Sequence, residues 1–311
     1  MRGPLHIDTP LLRAPPELFG SERAVWLKMD ALQASGSFKM RGVGRLVQQR
    51  VAEGATAVVC ASGGNAGMAA TLAARACEVP VTIVVPQTTA VAVREAIAAR
   101  GASVVVHGAV WDEAHEHALG LARAHNAVYV HPFDDPLLWD GHATLIDEVV
   151  HEGAAFDCVV TSVGGGGLLA GIALGLRRNG LGHVPVIAVE TEGAASFAAA
   201  LEAGTPVTLP AITSIATSLG ARRVMPRLLD VAREHEIVSV VVSDAQAVQA
   251  CVRFADTTRV LVEPACGASI AALDVHPAVF ARFKAPLIEV CGGVGVSLAR
   301  LAQWRTDLGL D

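Results

Sequence analysis

The sequence has 311 residues, 52% of them hydrophobic and 17% charged, and a formal net charge of −6. This length suggests one large domain or two closely packed ones, and the scattered basic residues exclude the positive stripe that nucleic acid selects. The mean hydropathy is +0.46, yet the apolar runs end after about six to eight residues, whereas a membrane-spanning helix needs about 20. We therefore expect a globular protein without nucleic-acid or membrane partners.

The first 16 residues include charged residues and prolines but no apolar stretch typical of a secretory signal. This favours a cytoplasmic location. The cysteines lie far apart and form no CxxC pair, so we expect reduced, mostly buried thiols. They are Cys60, Cys77, Cys158, Cys251, Cys266 and Cys291.

From Ala57 onward, short β-branched runs alternate with Ala-rich stretches of helical length, which is typical of a parallel sheet covered by helices on both faces. Eight runs are predicted strands: AVVC (57–60), VTIVVP (81–86), SVVVHG (103–108), AVYVHP (127–132), DCVVTSV (157–163), PVIAVET (185–191), IVSVVVSD (237–244) and PLIEVCGG (286–293). Eight strands would make a wide single sheet, and the Pro- and Asp-rich residues 131–139 look like a crossing between two lobes. The pattern therefore predicts two α/β lobes with a ligand between them.

The first candidate motif is SGSFKMRG (35–42), where Lys39 follows small residues and Phe38. The segment is too rich in Gly and Ser to begin a regular helix, so the lysine could lie at a junction of the lobes. Taken alone, Lys39 is better explained as a solvated surface lysine. Its interpretation therefore depends on the other motifs.

The second motif is ASGGNAGMAA (61–70), which follows a predicted strand and opens a predicted helix. Backbone N–H groups at a helix N-terminus favour a carboxylate or a phosphate. The alternative is a tight turn that needs Gly only for its backbone angles.

The third motif is SVGGGGLLAG (162–171), again between a strand and a helix. Four consecutive glycines lose much chain entropy on ordering, which favours a purpose beyond a turn, namely a nest of N–H groups around a phosphate. The spacing differs from a nucleoside-triphosphate P-loop and from a dinucleotide fingerprint.

A fourth motif, IEVCGGVGVS (288–297), places Cys291 at the end of a strand, at the same rim as the other loops. A buried cysteine is usually only a small hydrophobic residue. The position at the strand end favours a place in the site for this one.

Together, SGSFKMRG, SGGNAGMAA, VGGGGLLAG, EPACGAS and CGG resemble the L-serine/L-threonine dehydratase family of fold type II pyridoxal-phosphate enzymes. The order of these motifs and the distances between them match that family over nearly the whole chain. Two further segments, FDDPLLWDGHAT (133–144) and ITSIATSLG (212–220), make the resemblance strongest to the short serine dehydratases. The resemblance implies an α/β fold with two open twisted sheet lobes, similar to the β subunit of tryptophan synthase, and the cofactor in the cleft. We expect a large lobe of residues 1–40 and 135–311, a small lobe of residues 41–134, and a homodimer.

By the resemblance, Lys39 binds the cofactor pyridoxal 5′-phosphate covalently, Phe38 confines its ring, and Cys291 lies beside the pyridine nitrogen. The residues expected to hold the cofactor phosphate are Gly164, Gly165, Gly166, Gly167 and Leu168. The residues expected to receive the substrate carboxylate are Ser62, Gly63, Asn65 and Ala66, and Asn65 is also expected to contact the 3′-oxygen of the ring.

The mechanism implied is β-elimination. The freed amine of Lys39 removes the Cα proton, and the cofactor phosphate is the acid for the departing hydroxyl. The products are pyruvate and ammonia from L-serine, or 2-oxobutanoate and ammonia from L-threonine. A thiol at Cys291 cannot enforce a protonated pyridinium as a carboxylate does, which favours elimination over transamination.

Related enzymes also bind a cation near the phosphate loop, and VETEGAASF (189–197) matches part of that site. The oxygen ligands implied are the side chain of Glu190 and the carbonyls of Gly164, Ala194, Leu219 and Ala221. Such a set, with one carboxylate, suits K⁺ better than Mg²⁺ or Ca²⁺. Alone, Glu190 could equally be an acidic residue at a strand end, and for Glu263 a supporting or helix-capping role is as well founded as a catalytic one.

The sequence departs from the family at Gly295, where relatives commonly have Asn, and this leaves the hydrogen bonds at the ring edge open. Four other functions stay open as well. They are a serine racemase, a β-replacement enzyme of the cysteine-synthase kind, a cofactor-binding protein without turnover, and a nicotinamide oxidoreductase, although the last leaves Lys39 and SGGN unexplained.

Overall fold

The computed structural model describes residues 3–20 and 23–310, so residues 1, 2, 21, 22 and 311 of the expected large lobe lie outside the described part. In that part, ten strands form two sheets. The strands are Leu11–Arg13 (β1), Trp26–Lys28 (β2), Ala57–Cys60 (β3), Val81–Val85 (β4), Ser103–Val106 (β5), Ala127–Val130 (β6), Cys158–Ser162 (β7), Val186–Thr191 (β8), Ile237–Val242 (β9) and Pro286–Glu289 (β10).

Helices cover the sheets and connect their strands. They are Pro16–Phe19 (α1), Lys39–Ala52 (α2), Asn65–Ala76 (α3), Val91–Ala98 (α4), Trp111–Ala124 (α5), Pro136–His151 (α6), Gly167–Arg178 (α7), Ser196–Ala203 (α8), Arg227–Glu234 (α9), Asp244–Thr258 (α10), Pro264–Val275 (α11), Pro277–Phe280 (α12) and Leu298–Asp307 (α13).

The six-stranded sheet has the order β1-β2-β10-β7-β8-β9, and the four-stranded sheet the order β5-β4-β3-β6. All neighbours are parallel except β1 and β2. The α/β class with two sheets is confirmed, and all eight predicted strands are present. The sequence pattern missed β1 and β2, since strands of three residues are too short to show an alternation.

The inner strands are apolar because helices cover both faces of the sheet. All six residues of β8 are buried, and so are all five of β7. Each buried aliphatic side chain stabilises the fold by about 1.5–3 kcal/mol. One buried cluster surrounds the six-stranded sheet, and a second joins one face of the four-stranded sheet to α2 and α3.

Helix α2 begins at Lys39, so the expectation that residues 35–42 would not begin a regular helix is wrong. The glycines serve close packing of α2 on α6. A Cβ at Gly42 would lie 2.7 Å from the carbonyl oxygen of Leu138, and one at Gly141 would lie 2.5 Å from that of Arg41. Tertiary packing thus outweighs the low helix propensity of glycine here.

No helix among the described residues is long and apolar enough to cross a membrane. The six cysteines are free thiols, five of them buried, in agreement with the expectation.

Candidate active site

Lys39, the first residue of α2, lies between the two sheets. Its Nζ donates a hydrogen bond to the carbonyl oxygen of Pro132, which follows β6. The preceding residue, Phe38, donates its backbone N–H to the carbonyl of Cys291 at 3.1 Å, and its ring centre lies 4.9 Å from Nζ of Lys39. The structure therefore brings Lys39, Phe38 and Cys291 together, as expected.

Burial lowers the pKa of Lys39 from 10.5 to about 8. Cys60 at the end of β3, then Cys291 and Glu263, oppose this shift. Desolvation disfavours the charged form of an amine. A substantial fraction of the amine is therefore neutral near pH 8, which a nucleophile or a general base requires.

The loop after β3 lies at the N-terminus of α3. The hydroxyl of Ser62 accepts the backbone N–H of Gly64 at 3.2 Å. No described residue accepts the backbone N–H groups of Gly63, Asn65 or Ala66. Unpaired N–H groups at a helix N-terminus bind anions, so the loop can receive a carboxylate.

The side chain of Asn65 is held by three partners. Its Nδ2 donates to Oε1 of Glu263 at 2.8 Å and to the hydroxyl of Ser218 at 3.3 Å, and its Oδ1 accepts the N–H of Val294 at 2.8 Å. Asn65 thus ties α3 to the loop after β10. Its expected contact with a ring oxygen stays a prediction.

Glu263 precedes α11 but does not cap that helix with its side chain. It is buried, and besides Asn65 it accepts the N–H of Gly295 at 3.3 Å. Burial raises the pKa of its carboxyl group, against hydrogen bonds from Ser218, Asn65 and Gly295. Gly295 therefore contributes its backbone N–H to this network.

The tetraglycine loop after β7 leads into α7, with Gly166 at the N-cap. No described residue accepts a hydrogen bond from the backbone N–H groups of residues 164–168. The N-terminus of a 12-residue helix points its positive end at the same place. This arrangement suits a phosphate.

The glycines of this loop also make room for neighbours. A Cβ at Gly165 would lie 2.2 Å from the ring of Phe133. Gly166 has φ of 101°, which L side chains rarely adopt. Phosphate binding is therefore an incomplete reason for four glycines, because close packing of Phe133 also requires Gly165 and Gly167.

Cys291 lies two residues beyond the end of β10 and is buried. Its Sγ is 3.7 Å from the hydroxyl of Ser162 at the end of β7. A hydrogen bond with Cys266, followed by burial, raises the pKa of the Cys291 thiol well above its usual value. Cys291 is therefore a neutral thiol.

Glu190 lies at the end of β8 and is fully buried. Its two carboxylate oxygens accept the N–H groups of Phe197 and Ala198, at 2.7 and 2.8 Å, at the start of α8. Burial, opposed by these bonds, raises its pKa to about 7. Of the other expected cation ligands, Gly164 adjoins Leu219, since a Cβ at Gly164 would lie 3.3 Å from Cα of Leu219.

Ala194 and Ala221, the remaining expected cation ligands, lie in the loops that carry these residues. Ala194 follows β8 and is fully buried. Ala221 donates its N–H to the carbonyl of Leu219 at 2.8 Å, so this carbonyl already has one partner. The cation site stays a prediction.

The sequence reasoning missed two residues beside the site. His131 accepts backbone N–H groups within the turn that carries Pro132. The only signal for it was a histidine directly before a proline at the end of a strand. Glu289 is fully buried, and neither of its carboxyl oxygens has a hydrogen-bond partner among the described residues.

Comparison with known proteins agrees with this geometry. Mouse "Serine dehydratase-like" is 46% identical over 317 residues, which are 98% of this chain and 96% of the relative. Human "L-serine dehydratase/L-threonine deaminase" is 45% identical over 321 residues, covering 99% and 97%. The crystal structure of a fungal L-serine ammonia-lyase from Rhizomucor miehei superposes with a TM-score of 0.91 at 35% identity, covering 98% of this chain and 99% of that one. The model of the family "Pyridoxal-phosphate dependent enzyme" matches residues 3–288, and the chain belongs to this family.

Proposed function

We propose that the protein is a pyridoxal-phosphate-dependent ammonia-lyase that eliminates water from L-serine and L-threonine. The observation that carries the proposal is the position of Lys39. Its partly neutral amine donates to the carbonyl of Pro132, whose neighbour Phe133 packs on the phosphate loop, and it interacts electrostatically with Glu263, the hydrogen-bond partner of Asn65. The starts of α3 and α7 offer backbone N–H groups that no described residue accepts. These are the groups needed to hold an amino acid, a phosphate and a reactive amine together.

The residues present fit the cofactor. The loop of residues 164–168 offers unpaired N–H groups to a phosphate, and Lys39 offers an amine with a lowered pKa to an aldehyde. Bound pyridoxal phosphate supplies an electron sink for the charge that develops at Cα of the substrate. In this assignment Phe38 would confine the ring, and Cys291 would be the partner of its nitrogen.

The other residues act on the substrate. Ser62, Gly63, Asn65 and Ala66 bind its carboxylate, which orients the Cα–H bond toward Lys39. The neutral amine of Lys39 then takes the Cα proton and holds it at Nζ. Loss of the β-hydroxyl as water gives aminoacrylate from L-serine and aminocrotonate from L-threonine, and hydrolysis of either releases ammonia and the 2-oxo acid.

Cys291 favours elimination over other reactions of the same cofactor. A thiol whose pKa is raised stays neutral and offers a pyridine nitrogen a weaker partner than a carboxylate would. The ring would then be a weaker electron sink, which would favour expulsion of the β-leaving group over reactions that need a long-lived charge in the ring. This choice of residue supports a lyase.

The proposal extends to the surroundings of the site. We assign K⁺ to a site formed by the side chain of Glu190 and the carbonyls of Gly164, Ala194, Leu219 and Ala221. The buried carboxylate of Glu190 supports this, because each of its oxygens accepts one N–H bond and keeps a free lone pair.

We also propose a cytoplasmic homodimer. The proposed lobe boundaries at residues 40 and 135 fall between the strands of the two sheets.

The test is incubation of the holoenzyme with L-serine and, separately, L-threonine. We expect pyruvate and 2-oxobutanoate in equal amounts with ammonia, and no 2-oxo acid from Lys39→Ala. Accumulation of D-serine without pyruvate would establish a racemase, and turnover that requires sulfide would establish β-replacement. Absorbance of bound cofactor without any turnover would show that the protein binds the cofactor but is not an enzyme.

A further inference from the structure

The turn after β6 is closed by the side chain of His131. Its Nδ1 accepts the backbone N–H of Phe133 at 3.2 Å and that of Asp134 at 2.8 Å. An imidazole nitrogen accepts hydrogen bonds only when it carries no proton, so Nδ1 is the unprotonated nitrogen and Nε2 carries the hydrogen. The side chain therefore fixes the backbone on both sides of Pro132.

This turn holds two parts of the active site at once. The carbonyl of Pro132 accepts the hydrogen bond from Nζ of Lys39. The ring of the next residue, Phe133, lies against Gly165 of the phosphate loop, and its carbonyl accepts a hydrogen bond from Nε1 of Trp139 at 2.8 Å. His131 makes no hydrogen bond with Lys39 or with the described phosphate loop, so it acts on both through Pro132 and Phe133.

The surroundings keep His131 neutral. Burial lowers its pKa to about 4, with further contributions from His115 and then from Lys39. The rings of His115, Tyr129 and Phe133 lie at its edges, with centres 5.8, 6.3 and 4.6 Å away. Nδ1 therefore remains an acceptor at neutral pH.

We propose that His131 is a positioning residue: through Nδ1 it fixes the turn of residues 132–134, so that the Pro132 carbonyl aligns the free amine of Lys39 while Phe133 supports the phosphate loop. This inference rests on the proposed role of Lys39. The carbonyl is available to the amine whenever Lys39 is not bound to the cofactor, both before loading and during turnover. An amine held in one orientation reacts faster than one that rotates freely.

A pair of substitutions separates the two nitrogens of His131. In His131→Asn the amide oxygen takes the place of Nδ1, whereas in His131→Gln the polar group lies one carbon further out, near the place of Nε2. Both replacements are neutral amides, so they serve as controls for each other. The proposal requires that Asn at position 131 keeps the turn of residues 132–134 in place and that Gln does not.

Two measurements on the apoprotein test this. The first is the rate at which Lys39 captures added pyridoxal phosphate. The second is the pH dependence of acetylation at Lys39, measured by mass spectrometry with the exposed Lys284 as internal reference. We expect His131→Asn to match the wild type in both. At a pH above the acetylation midpoints of all variants, where the amine is neutral in each, we expect His131→Gln to capture the cofactor on the order of tenfold more slowly, as for the loss of one hydrogen bond. We expect its acetylation midpoint to move to lower pH, because the ammonium form loses its acceptor.

Equal behaviour of the two variants, or a His131→Asn variant that is impaired or unfolded, would overturn the inference. If the wild type captures no cofactor at Lys39, the proposed function fails. The acetylation midpoints of the variants still decide the role of His131 in that case. The two failures are therefore distinguishable.

Discussion

The guanidinium group of Arg41 binds the carboxylate of Asp30 through two hydrogen bonds of 2.7 Å, from Nε and from Nη2. Both side chains are fully buried, and Arg41 also pairs with Glu148 of α6. Because Arg41 is two residues beyond Lys39, this network anchors the first turn of α2. The position of the reactive lysine thus depends on an ion pair away from the substrate.

We predict that Arg41→Met lowers the free energy of unfolding by about 3–5 kcal/mol, because it leaves the buried Asp30 carboxylate without its cationic partner. The matched control is Arg45→Met, one turn along the same helix. Arg45 pairs with Asp140 where both side chains are exposed, so that variant loses at most about 1 kcal/mol. Denaturant unfolding of both variants checks this, and equal losses would contradict it.

Glu289 gives a prediction on pH. Burial, then nearby Cys291 and Asp30, raise the pKa of its carboxyl group well above 4.5. A raised pKa in the folded state means that stability is fully present below about pH 4.5 and is lost as pH rises toward the folded pKa. We expect Glu289→Gln to lose less stability than the wild type between pH 5 and pH 8, roughly the working range of most proteins.

A second substitution at the same position tests the missing hydrogen bonds. Glu289→Met removes a carboxyl group that no described residue pairs with, and we expect it to stabilise the protein by about 1–3 kcal/mol at neutral pH. Thermal unfolding measures this. A destabilised Met variant would show that water or another group satisfies Glu289.

The packing of Phe133 on the phosphate loop predicts the effect of Gly165→Ala. The added methyl group would overlap the Phe133 ring, so we expect weaker cofactor binding by at least about tenfold, equal to about 1.4 kcal/mol. The additional change Phe133→Ala makes space and should recover part of the loss. Gly120→Ala in α5, where a Cβ meets nothing within 4 Å, serves as the neutral control.

The pKa of Lys39 predicts a pH profile for cofactor loading. Capture of an aldehyde needs the neutral amine, and the pKa is about 8. The loading rate of the apoprotein should therefore rise with pH, reach half of its maximum near pH 8 and level off above it. A midpoint near 10.5 would show that Lys39 is not desolvated.

Much of the fold follows from local sequence patterns. The eight longer strands are predictable because buried parallel strands are continuous β-branched runs, and the glycine-rich loops of residues 61–70 and 162–171 are followed by the predicted helices. The start of α2 at Lys39 is not predictable from composition. It depends on α6, which lies about 100 residues away in the sequence and packs on the glycines of α2.

The network around the site could be predicted less well than its loops. Asn65 and Glu263 are 198 residues apart, and no local pattern reports such a contact. The role of Glu263 stayed open for that reason, and the structure shows that its side chain supports Asn65 and Gly295. The sequence does not indicate a role for His131, because the role of a single histidine in a turn depends on the hydrogen-bond partners of its ring nitrogens.

The central claim is that Lys39 carries the cofactor. The chain has three lysines, Lys28, Lys39 and Lys284, so the claim can be tested directly. The holoenzyme is reduced with borohydride, which makes the bond between cofactor and lysine permanent, and its peptides are mapped by mass spectrometry. The account predicts the pyridoxyl phosphate mass on Lys39 alone; its presence on Lys28 or Lys284, or on no lysine, would contradict it.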